Sequence, residues 1–294
     1  MLAYLQNIAV LFCVNAMLAV TLNFIMGYAG IFSLAHAIFF GVGAYTAANI
    51  AMHFSDSLFL CVAGAMLVSA VLSMALALPA LRVRGEYFVA ASLGLQVIGV
   101  TVFSEWKGVT GGLGGLVGIP PPTVFGHALT TPGEFLALAL AGLAAVLLAT
   151  TALLRGSFGR SLMAIRDSES AAQAAGKWVA AIKTLSVAVS AGLAAVAGAI
   201  YAFYMSFVNV EGFMLETSIL LMAMVIIGGT GTVFGPIIGA ALLMLLPAAL
   251  TYLPFLPPAE LGTVQQIVYG AVMVLLMMYR PGGLVGGRRK KGQA

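Results

Sequence analysis

The side chains that could do catalytic chemistry are few and widely separated in this sequence. The 294 residues include three histidines, His36, His53 and His127, and two cysteines, Cys13 and Cys61. None of the histidines lies at a spacing typical of metal ligands, and no nucleophile is paired with a base as an enzyme would require. Both cysteines lie in apolar runs, which gives no sign of a disulfide framework. The sequence therefore argues against an enzyme and against a metal site.

A glycine-rich stretch raises the possibility of phosphate binding, but its surroundings argue against it. Residues 110–115 read Thr-Gly-Gly-Leu-Gly-Gly, yet no Lys-Ser/Thr pair follows and no strand precedes it. No ATP-binding loop occurs elsewhere, so work by this chain would need energy from a partner or from an ion gradient. Ion coupling needs an ionisable group within the membrane, and His36 is the main candidate. The alternative is a histidine that hydrogen-bonds a neighbouring helix.

Composition indicates which elements must position these residues. Hydrophobic residues make up 62% of the chain and charged residues 7%, whereas a soluble domain carries about 25% charged residues. Glycine and methionine are abundant, at 35 and 15 residues, and small residues let membrane helices approach closely. The prediction is an all-α, polytopic helical membrane protein, with residues 1–294 forming a single transmembrane domain.

Nine apolar runs approach the roughly 20 residues that a helix needs to cross a bilayer. Because the runs are continuous rather than alternating, they predict helices and not a barrel. We therefore expect about eight or nine transmembrane helices, of which 88–103 and 213–228 are short enough to be tilted, broken or re-entrant. The nine runs are 5–26, 31–52, 58–80, 88–103, 134–154, 184–206, 213–228, 232–253 and 262–279.

The distribution of Lys and Arg predicts an orientation. Twelve of the 13 basic residues fall in three segments, which are the turn holding Arg82 and Arg84, the loop 155–183 and the tail 280–294. Alternating spans put all three on one side, and Lys107 alone lies opposite. Because cytoplasmic loops carry the excess of basic residues, the C-terminus should be cytoplasmic, and with nine spans the N-terminus would lie outside; the sequence does not fix the exact helix count or, with it, the side of the N-terminus. The opposite loop, 104–133, is rich in Gly and Pro and should form a compact outer cap.

The loop 155–183 has the composition of a short amphipathic helix, which should end at Gly176. Its apolar face is small and its charges are mixed in sign, whereas a helix that binds lipid carries bulky anchors and a basic rim. We therefore favour docking into a protein groove over contact with lipid or with the chain's own spans. The apolar face consists of Leu162, Ile165, Ala172 and Ala175, and the charges on the other faces are Arg166, Asp167 and Glu169.

Several short motifs occur together in a characteristic order. They are Leu-Asn-Phe-Ile-Met-Gly-Tyr-Ala-Gly at 22–30, Phe-Ser-Leu-Ala-His at 32–36, Gly-Val-Gly-Ala-Tyr at 41–45, Leu-Arg-Val-Arg-Gly-Glu-Tyr at 81–87, Thr-Gly-Gly at 110–112 with Gly-Ile-Pro at 118–120, the loop 159–176, Gly-Gly-Thr-Gly at 228–231 and Phe-Gly-Pro-Ile-Ile-Gly at 234–239. In this order the sequence resembles the permease subunits of branched-chain amino-acid ABC importers, in the LivM-like branch. The resemblance runs from about residue 15 to residue 283.

This resemblance implies a role within a larger machine of the bacterial inner membrane. It implies a homologous second permease subunit, two ATP-binding subunits that hold ATP-Mg, and a periplasmic or extracellular solute-binding protein. The permease itself would bind no cofactor and no nucleic acid. The implied cargo is a branched-chain or related amino acid, with urea, amides and aromatic acids as further possibilities for such relatives. An ion-coupled secondary transporter of small solutes remains the alternative.

The resemblance also implies roles for individual residues. Importer permeases carry Glu-Ala-Ala, three residues and then Gly in a cytoplasmic coupling helix, whereas here Ser170 precedes the two alanines and Glu169 is displaced by one. The residues expected to couple to the ATPases are Gly159, Arg160, Leu162, Ile165, Arg166, Asp167, Glu169, Ala171, Ala172 and Gly176. The residues expected to line the translocation path, each of which is equally well read as a hydrogen bond between helices, are Asn23, Ser33, His36, Asn49 and Ser92.

Overall fold

A computed structural model describes residues 2–80, 87–124, 126–251 and 282–285, together with residues 267, 270, 271, 274, 275 and 278. The turn with Arg82 and Arg84, most of the run 262–279 and the rest of the tail 280–294 lie outside the described residues.

The described residues form α-helices joined by short connections and four two-residue strands. A π-helical turn, Phe24–Tyr28, continues the first helix, and short 3₁₀ turns cover Gly112–Gly114 and Val210–Phe213. The strands are β1 (Leu116–Val117), β2 (Thr123–Val124), β3 (His127–Ala128) and β4 (Phe207–Val208). The helices are α1 (Leu2–Asn23), α2 (His36–His53), α3 (Leu58–Ala80), α4 (Tyr87–Glu105), α5 (Lys107–Thr110), α6 (Pro132–Arg155), α7 (Ser157–Asp167), α8 (Glu169–Ala174), α9 (Val179–Met205), α10 (Leu215–Gly228) and α11 (Gly235–Thr251).

The helical membrane fold agrees with the sequence prediction, although the number of spans is not confirmed. Among the described residues, five helices are long and apolar enough to cross a membrane, namely Leu5–Tyr28, Leu58–Ala75, Phe88–Glu105, Pro132–Arg155 and Val179–Met205. Two run boundaries were wrong. The helix predicted from residue 31 begins only at His36, and the helix predicted from residue 184 begins at Val179.

The core forms where α9 packs against α2, α3 and α1. Helices α1 and α9 are mostly buried, whereas fewer than a third of the residues in the apolar spans of α3, α4 and α6 are buried, as expected of lipid-facing helices. Helices α2 and α9 touch through glycines. A Cβ on Gly43 would overlap the Cα of Ala195, and a Cβ on Gly198 would overlap the carbonyl oxygen of Phe40. These small residues allow the two backbones to meet, which is how apolar helices gain packing energy in a membrane.

One end of the helical bundle is closed by the segment 104–133, which is compact and turn-rich as predicted. Its strand β1 pairs antiparallel with β4, with Leu116 opposite Val208, and β2 pairs with β3. Gly115 has a positive φ of 69°, and a Cβ there would overlap the carbonyl oxygen of Val208. Glycine is therefore required where this segment crosses the end of α9.

The segments predicted to be cytoplasmic meet at the opposite end of the bundle. Arg166 of α7 bonds Gly27, and Gly231 bonds Asn23. The amide of Leu284 donates to the carbonyl of Ile227. Helix α9 runs for 27 residues, or about 40 Å, so these contacts lie far along the bundle from β4, and the side of the membrane on which they lie stays a prediction.

Two connections enter the protein interior. In the segment before α2, Ile31, Ser33 and Ala35 are all buried. Before α10, the carbonyl of the buried Phe213 accepts from Gln96, the middle residue of α4. Helix α10 has 14 residues, a length of about 21 Å, which is too short to cross a bilayer alone. The prediction that 213–228 is a short or re-entrant span therefore agrees with a helix that begins within the bundle.

Candidate functional site

The loop 155–183 folds as two helices instead of the one predicted. Ser168 has extended backbone angles, and its hydroxyl accepts from the amide of Ala171 at 3.3 Å, which starts α8 after α7 has ended. The prediction of one helix over 159–176 was wrong because serine offers the backbone a side-chain acceptor and so favours a helix start. Gly176, with φ of 76°, follows α8 as expected.

The apolar face of this loop packs against the chain itself. Leu162 belongs to the main core, while Ile165 and Ala172 form a small cluster with Val179, against which Ile182 packs. Leu162, Ile165 and Ala172 are at most 4% exposed. The structure therefore contradicts the expectation that these three side chains present a face to a partner. Gly159 is also buried.

A different set of side chains faces outward. We call it the exposed loop face, and it is centred on α8 and the turn that follows. Trp178 is its largest member, with 77% of its surface exposed. Of the residues predicted to couple, Asp167, Glu169, Ala171 and Gly176 lie on this face, and Arg160 is exposed nearby on α7. The exposed loop face comprises Asp167, Ser168, Glu169, Ser170, Ala171, Gln173, Ala174, Ala175, Gly176, Lys177 and Trp178.

An ion pair holds α8 against α9. The Lys183 ammonium lies 2.7 Å from a carboxylate oxygen of Glu169, and the Lys183 side chain is only 19% exposed. The glutamate that is displaced from the importer pattern thus has a partner within its own chain. This pair fixes the position of α8 and hence the shape of the exposed loop face.

Arg166 points away from the exposed loop face and toward the first span. Its Nη1 donates to the carbonyl of Gly27 at 2.8 Å, while its Nε and Nη2 donate to Asp167 Oδ1 at 3.2 and 3.1 Å. Gly27 lies in the π-helical turn that ends α1. The predicted coupling residue Arg166 therefore joins α7 to the end of α1, while Asp167 pairs with Arg166 at the end of α7.

Asn23 binds the turn between α10 and α11. Its Nδ2 donates to the carbonyl of Thr232 at 2.8 Å, and its Oδ1 accepts from the amide of Gly231 at 2.9 Å. A Cβ on Gly27 would overlap the amide of Gly231. The end of α1, the α10–α11 turn and α7 therefore meet at one junction, which the sequence did not predict because its parts are distant along the chain.

The other predicted path residues also make internal hydrogen bonds. His36 Nε2 lies 3.0 Å from the Thr21 hydroxyl, Ser92 accepts from the amide of Leu34 at 3.0 Å, and Ser33 accepts from Ala35. Asn49 lies nearer the opposite end of the bundle, where it donates to the carbonyl of Val109. The bonds of Asn23, His36, Asn49 and Ser92 join different elements, whereas that of Ser33 is local to the segment before α2. A role of the five residues in lining a path stays a prediction.

Sequence reasoning missed several buried polar links. Gln96 donates to the carbonyl of Phe213 at 2.8 Å. Ser190 donates to the carbonyl of Thr21 at 2.6 Å, and Ser218 accepts from the amide of Ala37. All three side chains are at most 1% exposed. A glutamine in the middle of the apolar run 88–103 is itself a signal, because such a residue is costly in lipid unless it has a partner.

A groove of about 550 Å³ opens at the end of the bundle that carries the strands. Its polar lining comes from Asn7, Thr130, Tyr204 and Ser206, and its apolar lining includes Phe135 and Phe203. The Tyr204 hydroxyl donates to Asn7 Oδ1 across the groove, joining the start of α1 to the end of α9.

Comparison with known proteins is consistent with this architecture. Residues 4–277 match the sequence model of a family described as the permease component of the branched-chain amino acid transport system. Among curated proteins, the high-affinity branched-chain amino acid transport system permease protein LivM of Salmonella typhimurium is 29% identical over 98% of this chain and 72% of its own length. LivM of Escherichia coli is 28% identical over 95% of this chain and 69% of its own length. No solved structure gives a significant match.

Proposed function

Because this chain belongs to the family of branched-chain amino acid transport permeases, we propose that it is the membrane-spanning permease subunit of an ATP-driven ABC importer. The match over residues 4–277 carries this proposal. The family membership makes the chain a transport permease and not an enzyme, and the apolar helices make it a multi-pass membrane protein.

The proposed cargo is a branched-chain amino acid. The LivM proteins of Salmonella typhimurium and Escherichia coli carry high-affinity branched-chain amino acid transport in their names, and each aligns over more than nine-tenths of this chain. A small apolar amino acid would also suit a path between helices that are rich in alanine, glycine and valine. The external binding protein would make most of the selection before the solute reaches this chain.

The proposed partners are a homologous second permease, two ATP-binding subunits that hold ATP-Mg, and an external solute-binding protein. The relatives are named as components of a transport system, which supports an assembly of several subunits. The translocation path would run along the interface between the two permeases, where the predicted residues Asn23, Ser33, His36, Asn49 and Ser92 remain candidates for lining it.

The ATPases would dock on the exposed loop face and not on the buried face of the loop. Ala171, Ala174 and Gly176 allow close approach of a partner backbone, and the exposed Trp178 offers an aromatic anchor of the kind that dominates protein interfaces. We propose that this face lies on the cytoplasmic side of a bacterial inner membrane. Twelve of the 13 basic residues, including those of the loop and the C-terminal tail, belong to segments on this side.

Transport would follow alternating access driven by the ATPases. ATP binding brings the two ATPases together, and the loop carries that movement to the spans. Such a shift requires ATP to bind one arrangement of the complex more tightly than the other. Two contacts within the chain link the loop to membrane helices. The bond of Arg166 to Gly27 links it to the end of α1, and the pairing of Glu169 with Lys183 links it to α9.

Reconstitution tests this function directly. The chain is co-expressed with the permease, ATPase and binding-protein genes that neighbour its own, purified through a tag on the chain, and placed in proteoliposomes. We expect the four partners to co-purify and leucine uptake to require both ATP and the binding protein. Uptake by the purified chain alone would refute the proposal, as would uptake that ignores ATP and stops when a proton uncoupler is added.

A pair of alanine substitutions tests the docking surface. Ala174→Trp adds bulk to the exposed loop face and should prevent co-purification of the ATPases, because a partner can no longer approach α8 closely. Ala145→Trp adds the same bulk to an exposed position on α6 and should leave the complex intact. Normal ATPase association of the Ala174→Trp protein would show that the subunits dock elsewhere.

A further inference from the structure

The Arg166 side chain packs against two glycines of the membrane domain, Gly30 and Gly231. A Cβ added to Gly30 would lie 3.0 Å from the Arg166 Cγ, and one added to Gly231 would lie 3.5 Å from its Nη1. Gly30 and Gly231 both have positive φ, of 71° and 74°. Two turns of the membrane domain thus use glycine where the arginine passes between them.

The Arg166 guanidinium bonds Asp167 with two of its nitrogens and the carbonyl of Gly27 with the third. Asp167 accepts from Nε and Nη2, which leaves Nη1 to donate to the carbonyl of Gly27 at 2.8 Å. A hydrogen bond from a charged donor is about twice as strong as a neutral one, and the planar guanidinium fixes its direction. About a third of the Arg166 side chain is exposed, at 34%, and its bond to Gly27 is partly buried.

The contact continues from Gly27 into a second turn. Gly27 packs against the backbone of Gly231, whose amide donates to Asn23 Oδ1, and Asn23 in turn donates to Thr232. A shift of α7 therefore acts on the end of α1 and on the α10–α11 turn through three successive polar or backbone contacts. The pair of Glu169 and Lys183, by contrast, joins α8 to the helix that directly follows it in sequence.

We propose that Arg166 is a positioning residue that transmits movement of the loop 155–183 through Gly27 to the end of α1 and the α10–α11 turn. It acts inside the permease, whereas the exposed loop face binds the ATPases. This inference rests on the proposed function, since it assigns Arg166 to the coupling of ATP hydrolysis to uptake. Arg166 therefore has a different role from the residues that contact a partner.

The test compares Arg166→Gln and Arg166→Lys with Arg155→Gln in the reconstituted complex. Arg155 is a matched control, because it is an exposed arginine in the last turn of α6, where the same loop begins, and it belongs neither to the exposed loop face nor to the predicted coupling residues. Three quantities are measured for each protein, namely ATPase association, ATP hydrolysis stimulated by the leucine-loaded binding protein, and leucine taken up per ATP hydrolysed.

We expect Arg166→Gln to keep its ATPases but to take up about tenfold less leucine per ATP, the effect expected from losing a hydrogen bond of a charged group. Arg166→Lys should fall between Arg166→Gln and the native protein, because an ammonium can bond Gly27 but lacks the fork that Asp167 orients. Arg155→Gln should match the native protein. A merely structural role would lower the amount of complex without changing the ratio of uptake to hydrolysis.

Native ratios in both Arg166 variants would overturn the inference. Loss of ATPase association in both would overturn it as well, because it would assign Arg166 to the docking surface. Failure of the proposed function looks different, since the native chain would then show no partners or no ATP-dependent uptake.

Discussion

Replacing Asn23 with alanine should measurably loosen the junction between α1 and the α10–α11 turn. The Asn23 side chain is 2% exposed and uses both ends of its amide, donating to Thr232 at 2.8 Å and accepting from Gly231 at 2.9 Å. Alanine removes both bonds at once and leaves two backbone groups of the turn without this partner.

The expected loss follows from the two bonds. A typical intramolecular hydrogen bond contributes about 0.5–1.5 kcal/mol net, and side-chain bonds between membrane helices average about 0.6 kcal/mol. Two such bonds give about 1–3 kcal/mol in the free energy of unfolding. The upper part of this range is the better expectation, because the turn's amide and carbonyl lose partners in a buried setting.

Unfolding in mixed detergent micelles measures this loss. Asn15→Ala is the matched control, since Asn15 lies in the same helix and is half-buried, but its side chain donates to the carbonyl of Leu11 within that helix. We expect Asn23→Ala to lower the unfolding free energy by about 2 kcal/mol, and Asn15→Ala to lower it by well under half as much. Equal effects of the two substitutions would refute the assignment of Asn23 as the link between α1 and the turn.

Three further substitutions test the packing of the fold. Gly43→Ala should cost about 1–3 kcal/mol because its Cβ would overlap Ala195, whereas Gly94→Ala, with nothing within 4 Å, should not destabilise. Thermal unfolding of the two proteins compares them. Thr131→Ala removes the cap of α6 and should cost about 1 kcal/mol by the same assay. Ala172→Trp overfills the small cluster beneath α8 and should speed trypsin cleavage of the loop, and an unchanged cleavage rate would show that the site accepts the added volume.

Hydropathy predicts a span well where polar residues flank it sharply. The run 58–80 and helix α3 share the same bounds, because Ser55, Asp56 and Ser57 precede the run directly. The family resemblance rested on short glycine motifs whose order could be read without any structure. The membrane fold and the permease family were therefore accessible from the sequence.

Apolar sequence alone does not distinguish a helix from an irregular segment that is buried in protein. Residues 31–35 are mostly apolar but precede α2 as irregular backbone. Such backbone is tolerated at membrane depth when other helices surround it, as Ile31 and Ala35 show by their burial. Tertiary packing therefore determines where α2 begins, and the local sequence pattern does not indicate that position.

The amphipathic pattern of the loop identified a buried face without identifying what buries it. Leu162, Ile165 and Ala172 are all buried, yet they lie on two helices and are covered by the chain itself. Periodicity reports only that a set of side chains avoids water. Whether the cover is a partner or the same chain depends on contacts between residues far apart in sequence, such as that of Arg166 with Gly27.

The hydrogen bonds of Leu284 and Val285 to the carbonyls of Ile227 and Gly228 set a constraint on biosynthesis. A helix leaves its last carbonyls without partners until some other group reaches them. Here the groups that reach the end of α10 come from Leu284 and Val285, far beyond α10 in the chain. The end of α10 therefore acquires these two bonds only after the whole segment between them has been synthesised, so a polypeptide that stops before residue 284 would lack them.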